Sequence, residues 1–577
     1  MAELTGGQII GKIWKEEGVE FIAGIHGGSV FELMRVADEE NIKMLHLRDE
    51  QTGAYMADGW GRVTGRPGVC FAHSAMGVLN MMSGLLNAHL CRAPVVAFVG
   101  RHALSEDGWL PSQEAYQAEI SQTFTKWSKC IVDLSTMSFF VQKAFRDAAT
   151  HPRGPVLIEL PRDLYIQTVD EKTQKGYLPL ERSAPMPKAQ GDPAMIEKAV
   201  RMLLEAERPI VVGGEGIYWS QASEELREFV ELLRIPVHTK RIARGAVPED
   251  HPLAFRGEYG RPLNHRADVM VGFGIFMGRG ENFAQPPMYP PTAKYILVSD
   301  LEQDLQARIP TAVRILGDSK VVLRQMLDCA RDIIKEPPER GEWLDVLTKA
   351  KEAYLVRQQE QKERVRDARP INPHFLSYEL VDFLDDDATI IQDSFFFSHF
   401  TSAKLQAKFP GHILDAGGAA GVGHSIGMAL GVQLARPGKQ VVTLQGDGGL
   451  GISGFDLESA ARYNLPIVCV LSNNSSWMSR ELQNPEYKGR LALPTKDSWG
   501  MLPDIRYDRM FVEMGCHGEF VTEPEEIKPA LERAFNSGKP ALVNVIPDSK
   551  VIPGFLTRGM DGQNVRVGGQ RPGDKSI

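Results

Sequence analysis

Several protein classes are excluded by what this chain lacks. Among its 577 residues are only six cysteines (Cys70, Cys91, Cys130, Cys329, Cys469, Cys516), scattered and without a C-x-x-C pair. That spacing offers neither a disulfide framework nor a zinc knuckle and fits a reducing, cytoplasmic setting. Positive charge is not in excess: 65 Lys+Arg stand against 74 Asp+Glu, a net charge of −9 with no long basic block. This argues against nucleic acid or an anionic membrane as the main partner. Residues 1–8 (MAELTGGQ) lack a basic segment leading into an apolar one, so no secretory signal is expected. Long apolar runs are missing too. The nearest approach, residues 69–91, contains no Asp, Glu, Lys or Arg, but His73, Asn80, Asn87 and His89 interrupt it. The pattern predicts a buried interior helix rather than a membrane span.

What is present is a globular composition, 43% hydrophobic with 55 Gly and 36 Pro. At roughly 100–200 residues per domain, the length fits about three to four domains. Residues 1–165 alternate β-branched runs, Gly-marked turns and helical stretches. Strands are predicted at 21–25, 42–47, 94–100 and 154–161, with a helix at 30–40. Such alternation makes an α/β unit around a largely parallel sheet. Residues 166–193 lose periodicity and gain Pro and charge, the composition of a linker. A second α/β unit over 194–335 has strands predicted at 209–214, 268–274 and 294–299. Residues 336–372 read as a solvated connecting helix ending near Arg369-Pro370, and a third α/β unit covers 373–547. The Gly-rich, basic stretch 548–577 forms either a disordered tail or an ordered flap, and composition favours disorder. The two end units are alike in size, without a strict repeat.

The sharpest signal lies in the third unit. A predicted strand at 440–445 runs into Gly446-Asp447-Gly448-Gly449, and a helix follows at about 455–463. A second strand at 467–471 then ends in Ser472-Asn473-Asn474-Ser475-Ser476. A strand–turn–helix–strand of roughly 25 residues returns the chain beside its start. Asp447 and Asn474 then meet at the carboxyl ends of adjacent parallel strands. These hard oxygen donors, with a backbone carbonyl, suit a Mg²⁺ that keeps water and completes its octahedron with phosphate oxygens. A lone Gly-Asp-Gly is commonly just a turn; its pairing with Asn-Asn at this spacing raises it above that.

On these residues the chain resembles the thiamine diphosphate-dependent enzyme superfamily over nearly its whole length. The resemblance implies three parallel-sheet α/β domains: a pyrimidine-binding (PYR) domain, a central domain and a diphosphate-binding (PP) domain. It implies Mg²⁺ held by Asp447, Asn474 and the carbonyl of Ser476. Thiamine diphosphate would lie along Gly446, Asp447, Gly448, Gly449, Asn474, Ser476, Trp477 and Met478. Glu50, placed after a predicted strand, becomes the carboxylic acid against N1′ of the aminopyrimidine. Read from the residue alone, it is a carboxylate in a first helical turn, favourable with the helix dipole. Val422 becomes the wedge below the thiazolium, where many relatives carry Met or Leu, with the Ala420 carbonyl near the 4′-amino group. In the family such a site is shared by two subunits, which implies a homodimer or homotetramer.

Three stretches bear on substrate. Ser29 and His73 match pocket positions of benzoylformate decarboxylase, where they handle the substrate carboxylate and protons. The second histidine of that enzyme has no counterpart in 273–279, which weighs against a simple 2-oxo acid decarboxylase, and His73 also reads as a core histidine. Residues 114–129 resemble a segment of 2-hydroxyacyl-CoA lyases and acetolactate synthases, with Ala118 where Glu is usual. There Gln117 would bond the substrate oxygen and Tyr116 would line the same face. Residues 451–466 resemble the branch of 2-hydroxyacyl-CoA lyases and oxalyl-CoA decarboxylases, as does Phe555-Leu556-Thr557-Arg558. Arg558 and Arg566 would then meet CoA phosphates under a closing tail. Glu481 is either a proton carrier or a helix-surface carboxylate.

The resulting expectation is a C–C lyase that reversibly cleaves a 2-hydroxyacyl-CoA thioester to an aldehyde or ketone plus formyl-CoA. The alternatives are an acetolactate synthase-like carboligase and a 2-oxo acid decarboxylase. A different class of reading has the central Val212-Gly213-Gly214-Glu215-Gly216 turn binding ADP or FAD.

Overall fold

The computed structural model describes residues 3–180, 186–286, 288–393, 395–479 and 500–553. The alternation seen in the sequence folds into three parallel sheets and one small ribbon. The ribbon pairs β1 (Glu3–Thr5) antiparallel with a strand from the stretch expected to be a linker. The first large sheet uses β2 (Phe21–Ile25), β3 (Lys43–His46), β4 (Gly68–Ala72), β5 (Val95–Arg101), β6 (Trp127–Cys130) and β7 (Pro155–Pro161). Their order is β3-β2-β4-β5-β7-β6. The strand that closes the ribbon is β8 (Thr168–Asp170). The middle sheet holds β9 (Pro209–Gly213), β10 (Val237–Thr239), β11 (Val269–Phe273), β12 (Lys294–Ser299) and β13 (Thr311–Leu316), ordered β10-β9-β11-β12-β13. The third holds β14 (Thr389–Gln392), β15 (Ile413–Asp415), β16 (Val441–Gly446), β17 (Val468–Ser472), β18 (His517–Val521) and β19 (Ala541–Val545), ordered β15-β14-β16-β17-β19-β18. The first and third sheets share one strand order, so the end units repeat an architecture that no sequence period shows.

Strands β4, β5, β7 and β19 are buried along their whole length. Their near-continuous apolar runs are what a parallel sheet covered on both faces requires. This also explains a correction. Residues 69–91 are not one buried helix: they divide into β4 and the helix Met76–Leu90, with a turn at 73–75. A doubly covered strand and the helix after it are both apolar, so hydrophobicity does not separate them. Nor is that helix interior, because Met76, Leu79, Leu86 and Leu90 are exposed. Among the described residues no helix is long and apolar enough to cross a membrane. The connecting helix is Gly341–Val365, a solvated element that buries Trp343, Leu347, Tyr354 and Val365.

Two contacts key the units together. The helices Glu50–Thr64 and Ser425–Ala435 approach so closely that a Cβ on Gly431 would lie 2.0 Å from the Met56 carbonyl oxygen. One on Gly59 would lie 2.4 Å from the Met428 carbonyl oxygen. Deeper in, the buried pair Arg62–Asp58 closes at 2.7 Å, and Asn87 donates to the same carboxylate at 2.6 Å. Arg62 Nη1 donates to the Asp415 carbonyl at 2.6 Å, and the Tyr218 hydroxyl of the middle unit donates to the Arg62 carbonyl.

Candidate active site

In each end sheet the chain leaves its first strand toward one edge and returns toward the other. The strand order therefore reverses at β2/β4 and at β14/β16. Crevices beyond the carboxyl ends of strands at such points are where open α/β sheets bind ligands.

At β14/β16 a pocket is lined by Asp393, Val422, residues 446–449, Asn474, Ser476, Trp477 and Met478, with Phe396, Phe397 and Phe400 on a further wall. The sequence placed a turn at 446–449, because glycine is a helix breaker. Instead a helix begins at Asp447 (Asp447–Ser453), so these glycines form its first turn. Gly448 is demanded by packing: a Cβ there would lie 2.8 Å from the Trp477 ring. Asp447 is buried, and its Oδ2 accepts the Ser476 N–H at 2.9 Å, which ties the two motif segments together. Asn474 donates its Nδ2 to the Met478 carbonyl at 2.9 Å, leaving the amide oxygen as a donor atom for a cation. Ser475 and Met478 hold φ of +51° and +66°. Non-glycine residues keep such angles where surrounding structure over-determines them, commonly at functional loops. A buried carboxylate, an amide oxygen and a strained loop of carbonyls are the oxygen set that suits Mg²⁺.

Asp393 is a site residue that the sequence reading missed. Its two oxygens accept the N–H groups of Gly423 and Ser425, each at 2.9 Å, and so clamp the loop that carries Val422. A carboxylate directly after a parallel strand at the reversal point was the signal available for it. Val422 lines the pocket and is 45% exposed; Ala420, at φ +49°, shapes the loop without lining the pocket.

The other candidates gather at the corresponding crevice of the first sheet. Ser29 Oγ and His73 Nδ1 lie 2.5 Å apart. Gly27 admits the imidazole, since a Cβ there would lie 2.4 Å from its Cγ. Glu50 opens the helix Glu50–Thr64, which Asp49 caps by accepting the Gln51 N–H. The Glu50 carboxylate accepts from Asn80 Nδ2 at 3.1 Å and lies close over Gly77, where a Cβ would be 3.1 Å from its oxygen. Tyr116 is exposed, with the Arg101 guanidinium 6.0 Å from its ring centroid. None of Ser29, Glu50, His73, Tyr116 or Gln117 lines the β14/β16 pocket. One chain therefore carries two separate clusters of candidate residues at equivalent places of two like sheets.

Gln117 departs from its expected duty of bonding the substrate. It is 1% exposed; its amide protons go to the Gly100 carbonyl and to Glu159, each at 2.9 Å, and its oxygen accepts the Ala75 N–H at 2.6 Å. No amide proton remains for a substrate. Burial pushes the Glu159 carboxyl up, while Gln117, Arg101 and the Ala118 N–H draw it back.

The central turn does not present a phosphate cradle. Gly214 and Gly216 donate their N–H groups to the carbonyls of Phe273 and Gly274, and a Cβ on Gly214 would lie 2.4 Å from the Gly274 oxygen. These glycines pack one turn against another, so the residues do not fit the pyrophosphate of ADP or FAD as the sequence reading had it.

Glu481, Arg558 and Arg566 lie outside the described residues. The start of the expected tail lies within them, and Asp548, Ser549 and Val551 line the pocket.

Comparison with known proteins agrees with this arrangement along the chain. Residues 4–124 match the thiamine pyrophosphate enzyme N-terminal TPP binding domain, residues 196–326 its central domain, and residues 398–545 its C-terminal TPP binding domain. The chain is 30% identical over 548 residues to the acetolactate synthase large subunit IlvG of Mycobacterium tuberculosis, covering 95% of this chain and 96% of that protein. It is 28% identical to 2-hydroxyacyl-CoA lyase 1 of Mus musculus, covering 94% of each. Identity to the 2-hydroxyacyl-CoA lyase of Arabidopsis thaliana is 27%, covering 94% of this chain and 96% of that one.

Proposed function

The chain belongs to the thiamine pyrophosphate enzyme family, and on that premise we propose that it is a Mg²⁺-dependent lyase of 2-hydroxyacyl-CoA thioesters. The reaction releases an aldehyde or ketone and formyl-CoA, and runs in reverse as a condensation. The observation that carries the cofactor part is the oxygen set of Asp447, Asn474 and Ser476 beside the glycine-lined crevice. These residues would hold Mg²⁺ and through it the diphosphate. When bound, thiamine diphosphate supplies an electron sink for the pair left by a broken bond next to a carbonyl. The chain's own residues do the rest. Glu50 would face the pyrimidine ring and exchange a proton with it at its carboxyl. The Ser29–His73 pair passes a proton at the substrate's end. Val422 and the phenylalanine wall shape the pocket and exclude water.

Glu50 reaches the diphosphate half only from a second copy of the chain, in this reading. Met76, Leu79, Leu86 and Leu90, exposed along one face of the helix Met76–Leu90, support that pairing, because an exposed apolar stripe marks an interface. The CoA thioester is supported by the lyase relatives and by the start of the C-terminal stretch, Asp548, Ser549 and Val551, on the pocket wall.

A carboligase joining free 2-oxo acids is the second reading, favoured by the acetolactate synthase relatives. Purified protein with thiamine diphosphate and Mg²⁺, offered 2-hydroxyacyl-CoA esters, oxalyl-CoA and pyruvate, decides by mass spectrometry. Formyl-CoA release is expected; acetolactate from pyruvate without formyl-CoA would replace the lyase with the carboligase.

A further inference from the structure

Glu159 lies on β7, 0% exposed, and does not line the pocket of Asp447. One carboxylate oxygen accepts from Gln117 Nε2 at 2.9 Å, the other from the Ala118 N–H at 3.1 Å. Gln117 passes this polarity on. Its two nitrogen-side partners, Glu159 and the Gly100 carbonyl, are acceptors, and its oxygen-side partner, the Ala75 N–H, is a donor, so the amide has one orientation. Ala75 sits at φ +52°, ψ −95°, in the left-handed half of the map, and precedes the helix Met76–Leu90 without a side-chain cap. An L-residue keeps such an angle only where neighbours over-determine it. The first turns of that helix bring Gly77 and Asn80 to the Glu50 carboxylate, and His73, two residues before Ala75, meets Ser29.

We infer that Glu159 is a positioning residue: through Gln117 it holds Ala75 in its strained form and thereby sets the helix Met76–Leu90 and His73 against Glu50 and Ser29. The inference rests on the thiamine-dependent reading above, and it gives a fully buried carboxylate a part in activating the cofactor.

Glu159→Gln keeps the shape but leaves one acceptor for two donors, so its NH₂ meets either the Gln117 NH₂ or the Ala118 N–H. Either clash displaces Gln117 from the Ala75 N–H, and turning Gln117 round would set two donors together at Ala75. In the cofactor-free protein, amide hydrogen exchange over residues 73–80 is expected to rise about tenfold or more. In the holoenzyme, exchange of the cofactor C2 proton, followed by NMR, is expected to slow about tenfold or more, while the Kd for thiamine diphosphate with Mg²⁺ stays within about threefold. Glycine adopts the Ala75 angles without strain, so in an Ala75→Gly background the same substitution should cost less than about threefold. Equal losses in both backgrounds, or failure to fold in both, would assign Glu159 to stability alone and overturn the inference. Wild-type C2 exchange in a folded Glu159→Gln would overturn it as well. A wild-type protein that fails to accelerate C2 exchange over the free cofactor would instead remove the thiamine-dependent reading itself.

Discussion

Glu50 opens a helix, accepts the Asn80 amide and faces a glycine where any side chain would crowd it. Capping carboxylates do not need such company. Glu50→Gln keeps the size and an oxygen to accept from Asn80 but loses the ionisable carboxyl, so turnover is expected to fall by about 10²–10⁴ with unfolding unchanged. Wild-type turnover would remove Glu50 from the chemistry. A second residue tests electrostatics away from the site. Lys404 Nζ bonds His374 Nδ1 at 3.0 Å and the Phe400 carbonyl at 2.9 Å, and lies 4.7 Å from the Tyr378 ring centroid. Burial, then Arg256, lowers its ammonium from 10.5 to about 7. Between those values the unfolded chain binds a proton that the folded one does not, so stability rises with pH through that window. Lys404→Met should flatten the rise, as read from denaturation midpoints at pH 7 and pH 10. An unchanged slope would show that this ammonium is not strained by its burial.

At the scale of elements, the contact between Glu50–Thr64 and Ser425–Ala435 depends on missing side chains. With a Cβ on Gly431 only 2.0 Å from the Met56 oxygen, Gly431→Ala must push the helices apart. Overpacking of this kind costs about 1–3 kcal/mol, measurable as a lower denaturation midpoint; an unchanged midpoint would mean that the two helices separate freely. The sequence did not show this contact, because glycine in a helix reads as a weak helix rather than a close approach. Elsewhere its legibility followed the physics. Buried parallel strands announce themselves by unbroken apolar runs, so β5, β7 and β9 were readable, whereas β4 merged with the apolar helix that follows it. That Asp447 and Asn474 would meet at one pocket was readable from residue type and spacing. Asp393 was not, since a single carboxylate after a strand becomes a site only once the strand order is known. The Gln117 network was hidden for a related reason. Its partners Ala75, Gly100 and Glu159 come from three separate stretches, and their backbone and side-chain polarities leave no local pattern.

For the whole molecule, the repeated strand order places two clusters of candidate residues on one chain, and the Arg62–Asp58 pair locks their units with the middle one. That lock leaves Glu50 outside the pocket that contains Asp447. If two copies complete each other, the two defects are separable by chain. Glu50→Gln homodimers and Asp447→Asn homodimers should each be nearly inactive. Mixed dimers contain one site in which Glu50 from the Asp447→Asn chain meets Asp447 from the Glu50→Gln chain, both intact. With random reassociation half of the dimers are mixed and half of their sites are whole, so activity should return to about a quarter of wild type. Were each site built within a single chain, every site in the mixture would carry one defect and no activity would return. Co-expression with two affinity tags isolates the mixed species. There the expectation rises to about half of wild type, because every dimer then holds one complete site.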